Sequence, residues 1–140
     1  MMLMGLREVS CQPYHRREIQ YLQVIALPQG FDYSYKYVQR SYFEEVTKCL
    51  PPFTEALFTR DSYLTDTTYT NIAVYKAGCY YTPEQPLLAG TQRTTLLEKG
   101  ILKPSNIHQN EIQAFETILL FNALIPFENA IRIPTDAVVA

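Results

Sequence analysis

The sequence predicts an α+β fold, of the irregular α/β kind, in one domain spanning residues 1–140. Three observations predict it. One long segment spaces its apolar residues at three and four positions, as a helix does. The middle of the chain breaks into short β-rich runs separated by turn chemistry. The elements follow one another in mixed order, with no repeated strand–helix unit, internal repeat or linker.

Taken in order, Leu6–Gln12 is a short strand candidate that Pro13 breaks. Arg17–Leu27 carries Ile19, Tyr21, Leu22, Val24, Ile25 and Leu27 in a strand-like pattern that ends at the turn Pro28-Gln29-Gly30. Tyr35–Leu50 places Tyr35, Val38, Tyr42, Phe43 and Val46 at helical spacing, and Pro51-Pro52 stops it. From Ala56 to Pro83, four β-rich runs alternate with turns such as Arg60-Asp61-Ser62 and Lys76-Ala77-Gly78, which predicts an antiparallel meander. Thr91–Lys99 reads as a short helix with Gly100 as its C-terminal cap. Asn110 is a candidate N-cap for one more turn before the apolar run Thr117–Leu124. Ala130–Ile133, closed by Pro134, is the last expected strand.

Composition excludes several function classes. With 47% hydrophobic and 19% charged residues the chain can bury a core, and its net charge of −2 supplies no basic field for nucleic acid. The longest apolar stretches are far shorter than the roughly 20 residues a membrane span needs. A membrane partner is therefore not expected, and the N-terminus is too briefly apolar for a signal peptide, so a cytoplasmic location is. Three dispersed cysteines and two histidines form no metal-ligand spacing, so no metal is expected and the thiols are read as reduced. No dinucleotide or phosphate-binding glycine loop and no hydrolase triad pattern is present.

The candidate chemistry is dispersed. Lys36 stands among Tyr33, Tyr35 and Tyr37 at the predicted start of a helix, where desolvation would make its amine nucleophilic; a solvated helix lysine reads the same way. Asp66, in Leu64-Thr65-Asp66-Thr67-Thr68, can hold a heterocyclic nitrogen protonated or bond its own turn. Gly90-Thr91 opens a helix, where free N–H groups and a hydroxyl suit a phosphate or make an ordinary cap. Arg93 can reach an anion or lie on the surface. Asn122-Ala123-Leu124, ending an apolar run before Pro126, can present backbone amides or serve core packing.

In order along the chain, Asp32-Tyr33-Ser34-Tyr35-Lys36-Tyr37, Leu64-Thr65-Asp66-Thr67-Thr68-Tyr69-Thr70-Asn71-Ile72-Ala73, Tyr81-Thr82-Pro83, Pro86-Leu87-Leu88-Ala89-Gly90-Thr91-Gln92-Arg93 and Phe121-Asn122-Ala123-Leu124-Ile125-Pro126 make five blocks. Together they resemble the class IV aminotransferase and 4-amino-4-deoxychorismate lyase family of pyridoxal 5'-phosphate (PLP) enzymes. The resemblance runs from about Pro13 to Val139. It implies the C-terminal domain of the D-amino acid aminotransferase-like fold, with PLP as cofactor.

By this resemblance Lys36 is the residue that carries the cofactor covalently and moves protons. Asp66 takes the place of an acidic residue, usually Glu, against the pyridine nitrogen, and is one methylene shorter. Gly90, Thr91 and Gln92 form the phosphate site, joined by Ala123 after Asn122 on a second loop. Asn122-Ala123-Leu124 before Pro126 is more like the lyases, which release pyruvate and leave 4-aminobenzoate, a folate precursor. The alternatives are a branched-chain or D-amino acid type aminotransferase, or an incomplete remnant acting only as a binding domain. The resemblance also implies a small-molecule amino substrate, a homodimer, and a smaller N-terminal domain, with a phosphate-binding arginine, that this chain begins after.

Overall fold

A computed structural model describes residues 19–28 and 36–139, apart from the side chains of residues 36–40. The expected strand Leu6–Gln12 lies outside the described residues. The next expected strand is β1, Tyr21–Ala26. The expected helix is α1, Lys36–Cys49, and it ends before Pro51, whose missing N–H and ring cannot continue it.

The expected meander divides into two hairpins. Strands β2 (Thr54–Arg60) and β3 (Tyr63–Thr67) pair antiparallel, as do β4 (Asn71–Lys76) and β5 (Cys79–Pro83). The hairpins belong to different sheets, because the turn between Thr67 and Thr70 leads the chain from one sheet to the other. Thr67 N–H donates to Thr70 O at 3.1 Å and the two hydroxyls lie 2.6 Å apart, which keeps that turn tight.

Helix α2 (Thr91–Glu98) ends as the sequence predicts. Lys99 is the cap and Gly100, at φ 76°, takes the left-handed position while Gly100 and Ile101 N–H bond back to Leu97 and Leu96. Strand β6 (Leu102–Ser105) follows; it contains Pro104 and is not expected from sequence. The turn before the apolar run is a 3-10 segment, Gln109–Ala114, and its N-cap is His108 rather than Asn110. The His108 imidazole nitrogen accepts from Asn110 N–H at 3.1 Å, and the Glu111 carboxylate accepts from His108 N–H at 2.8 Å, so both orphan donors are met. Strands β7 (Thr117–Phe121), β8 (Ile131–Pro134) and the short β9 (Val138–Val139) complete the described chain.

Among the described residues one sheet runs β9-β1-β2-β3 and the other β6-β5-β4-β7-β8. Strand alternation distributes the core. In β4 and β7, Ile72, Val74, Ile118 and Leu120 point between the sheets, where they meet Leu22, Leu57 and Leu64. Ala73, Leu119 and Phe121 point the other way and pack with Leu96 of α2, Leu102 and Ala130. On the outer side of β2, Phe58 is fully buried and its ring lies 4.9 Å from that of Phe43 on α1. Cys49 and Cys79 are free thiols. No described helix is long and apolar enough to cross a membrane.

Candidate functional site

The Thr67–Thr70 crossover, the residues leading into α2, and the loop after β7 enclose a cavity of about 290 Å³. Its walls include Asp66, Gly90, Thr91, Gln92, Asn122 and Ala123, all expected from sequence, together with Phe43, Thr68, Tyr69 and Asn71, to which the sequence assigns no role of their own. Lys36 begins α1, seven residues before Phe43 and therefore about 10 Å along the helix axis. The Lys36 side chain lies outside the described residues.

Asp66 reaches its place through a register change. Between the pairs Leu57–Thr67 and Thr59–Leu64, β3 carries one more residue than β2, a bulge of the kind that re-aims a side chain. The carboxyl is 3% exposed. One oxygen, Oδ2, accepts from Leu87 N–H at 3.0 Å and Leu88 N–H at 3.2 Å. The other, Oδ1, is buried without a hydrogen-bond partner. Burial pushes the Asp66 pKa up from its ordinary 3.8 to about 7, although the Leu88 and Leu87 N–H groups, the Thr65 hydroxyl and the nearby Arg93 cation pull it back. Arg93 is itself buried, not on the surface, with Nη2 donating to Pro83 O at 3.0 Å.

Asn71 fastens the segment before α2. Its Nδ2 donates to Leu88 O at 2.7 Å, and a Cβ added to Gly90 would collide with its Oδ1. Glycine is thus required at position 90 by close approach. Gly90 is the N-cap of α2 and no side chain caps that end, so the N–H groups of Thr91, Gln92 and Arg93 in the first turn have no helical acceptor. The Gln92 side chain points to the second loop, where its Nε2 donates to the carbonyls of Asn122 and Ile125. Asn122 shapes that loop: Oδ1 accepts from the N–H groups of Leu124 and Ile125, both at 2.8 Å, and Nδ2 donates to Tyr69 O at 3.0 Å. Ala123 then sits on the cavity wall beside Asn122.

The cavity lining therefore combines Asp66, with its buried acidic oxygen, and a helix start suited to an anion. The family model for amino-transferase class IV matches residues 50–128. The chain belongs to the class IV aminotransferase family. An uncharacterized protein of Haemophilus influenzae is 32% identical over 93 residues, which cover 66% of this chain and 50% of that protein. A solved structure from Haemophilus somnus 129PT, with a provisional 4-amino-4-deoxychorismate lyase designation, superposes with a TM-score of 0.65 at 24% identity, covering 81% of this chain and 58% of that one. A hypothetical aminotransferase of Mycobacterium tuberculosis, in its PLP-bound form, gives a TM-score of 0.56 at 16% identity, covering 81% of this chain and 45% of that one. The chain thus spans about half the length of the relatives it matches. Class IV aminotransferase family members are PLP-dependent, and the residues here fit that cofactor. Asp66 Oδ1 and the Thr68 hydroxyl are buried polar atoms left without partners, and the open first turn of α2 suits a phosphate.

Proposed function

We propose that this chain is the cofactor-holding part of a PLP-dependent enzyme that acts on a small-molecule amine, and that the reaction is of the 4-amino-4-deoxychorismate lyase type. The observation that carries the reading is the unpartnered Oδ1 of Asp66, a residue that lines one cavity together with the uncapped start of α2. A buried carboxyl oxygen without a partner is costly, and a protonated ring nitrogen is a partner that relieves it.

When bound, PLP supplies a ring that withdraws electron density from the carbon beside the substrate nitrogen. Asp66, fixed by the Leu87 and Leu88 N–H groups, is the residue to hold a proton at the ring nitrogen. The N–H groups of Thr91 and Gln92, the Thr91 hydroxyl and the Ala123 N–H are the donors for the phosphate. Thr68 adds a hydroxyl to the same wall. Lys36 is the amine to hold the cofactor and to carry protons. The lyase type rests on the Asn122-Ala123-Leu124 loop before Pro126, and a cytoplasmic homodimer belongs to the same proposal.

Incubating the chain and PLP with aminodeoxychorismate, then measuring pyruvate and 4-aminobenzoate, tests this. Release of both supports the lyase type. Amino transfer from a branched-chain or D-amino acid to a 2-oxo acid, without pyruvate release, replaces it with the aminotransferase reading. Neither activity in a protein that binds PLP leaves a binding domain only.

A further inference from the structure

Gln92 has a side chain spent on the chain's own backbone. A glutamine amide offers two N–H donors. Both are used, on the carbonyls of Asn122 and Ile125, the latter at 3.1 Å, while Oε1 accepts from Phe127 N–H at 2.6 Å. The partners lie 30, 33 and 35 residues further along the chain. Three bonds to three successive parts of one loop therefore fasten that loop to the first turn of α2. The side chain keeps no donor for a ligand.

The second loop carries its own lock. Asn122 holds Leu124 and Ile125 through Oδ1 and reaches Tyr69 O through Nδ2, tying the loop to the crossover turn beside Asp66. What remains on the cavity side is the backbone at Ala123. Donors from Ala123 and from the start of α2 can act on one anion only if their separation is fixed. Gln92 is the only side chain among the described residues with hydrogen bonds to both Asn122 O and Phe127 N–H.

We propose that Gln92 is a positioning residue that clamps the Asn122–Phe127 loop to the start of α2, so that two separate sets of backbone donors converge on the cofactor phosphate. The identity of that anion rests on the PLP reading above.

The test compares wild type with Gln92→Leu, which keeps bulk and removes all three bonds, and Gln92→Met, which removes the same bonds in an unbranched side chain and adds no charge. Each is titrated with PLP and with pyridoxal, which lacks the phosphate, and amide hydrogen exchange is read at Phe127. The clamp predicts that preference for PLP over pyridoxal falls about tenfold in Gln92→Leu, that pyridoxal affinity stays within about twofold, and that Phe127 exchanges faster. Equal weakening of both ligands, or an unchanged preference while Phe127 exchange accelerates, overturns it. Gln92→Met decides the matter by the same ratios where the leucine variant does not fold. If wild type binds neither aldehyde, the PLP reading fails, and inorganic phosphate becomes the probe. Slowed exchange at Thr91 and Ala123 in wild type, lost in either variant, then supports the clamp; no slowing in wild type overturns it.

Discussion

Replacing Asp66 with asparagine removes an ionisation that the fold resists. The folded protein keeps a proton on Asp66 up to about pH 7, whereas the unfolded chain releases it near the ordinary 3.8. Between those values the folded state binds more protons than the unfolded state, so stability falls as pH rises through this window and levels off above it. At about 1.4 kcal/mol for each pH unit, the loss amounts to about 4 kcal/mol. The asparagine side chain would accept the same Leu87 and Leu88 N–H bonds but never ionise. Urea denaturation of the cofactor-free protein at pH 4 and pH 8 reads the effect. The advantage of Asp66→Asn over wild type is expected to grow by about 4 kcal/mol across that range, while PLP affinity falls because the ring nitrogen loses its acidic partner. Parallel stability curves for the two proteins would refute the burial argument. A variant that gains stability and keeps its PLP affinity would refute the assigned role.

Other substitutions test neighbouring parts. Gly90→Ala sets a methyl against Asn71 Oδ1, so Asn71 must withdraw from Leu88 O; a loss of about 1–3 kcal/mol in urea denaturation is expected, and an unchanged midpoint contradicts the close approach. Arg93→Met removes the cation that pulls Asp66 downward, so the falling limb of the melting temperature against pH extends to higher pH than in wild type. Asn122→Ala removes the side-chain bonds to Leu124, Ile125 and Tyr69 and is expected to cost about 1–2 kcal/mol, with faster amide exchange at Leu124 and Ile125.

Much of the fold was legible because its elements obey local rules. The helical spacing before Pro51, the glycine that closes α2 and the turn residues of both hairpins act within a few residues of themselves. The split between two sheets was not legible, since the Thr67–Thr70 turn looks in sequence like any hairpin connection and only tertiary packing decides what it joins. Strand β6 has no strand signal in sequence, since Lys103 and Pro104 break the β-rich pattern; pairing with β5 imposes the extended form. His108 does not stand out as a cap in sequence because a ring nitrogen is an uncommon acceptor there, although Glu111 three residues on completes a capping-box spacing.

The site shows the same division. Asp66, Gly90, Thr91, Gln92, Asn122 and Ala123 stand apart in sequence, and no single one carried a specific signal; the structure sets them around one cavity. Asn71 is not legible as a site residue because its contact with Leu88 spans 17 residues. In sequence Arg93 reads either as a residue that reaches an anion or as one on the surface, because charge favours exposure, yet Pro83 O and the field of Asp66 hold it inside.

The central claim is that this cavity holds PLP through Lys36. Mixing the protein with PLP, recording the visible spectrum, reducing with borohydride and mapping the labelled peptide tests it most directly. The account predicts a lysine-linked absorption band and a single adduct at Lys36. No band, or label scattered over exposed lysines such as Lys48, Lys76, Lys99 and Lys103, would contradict it.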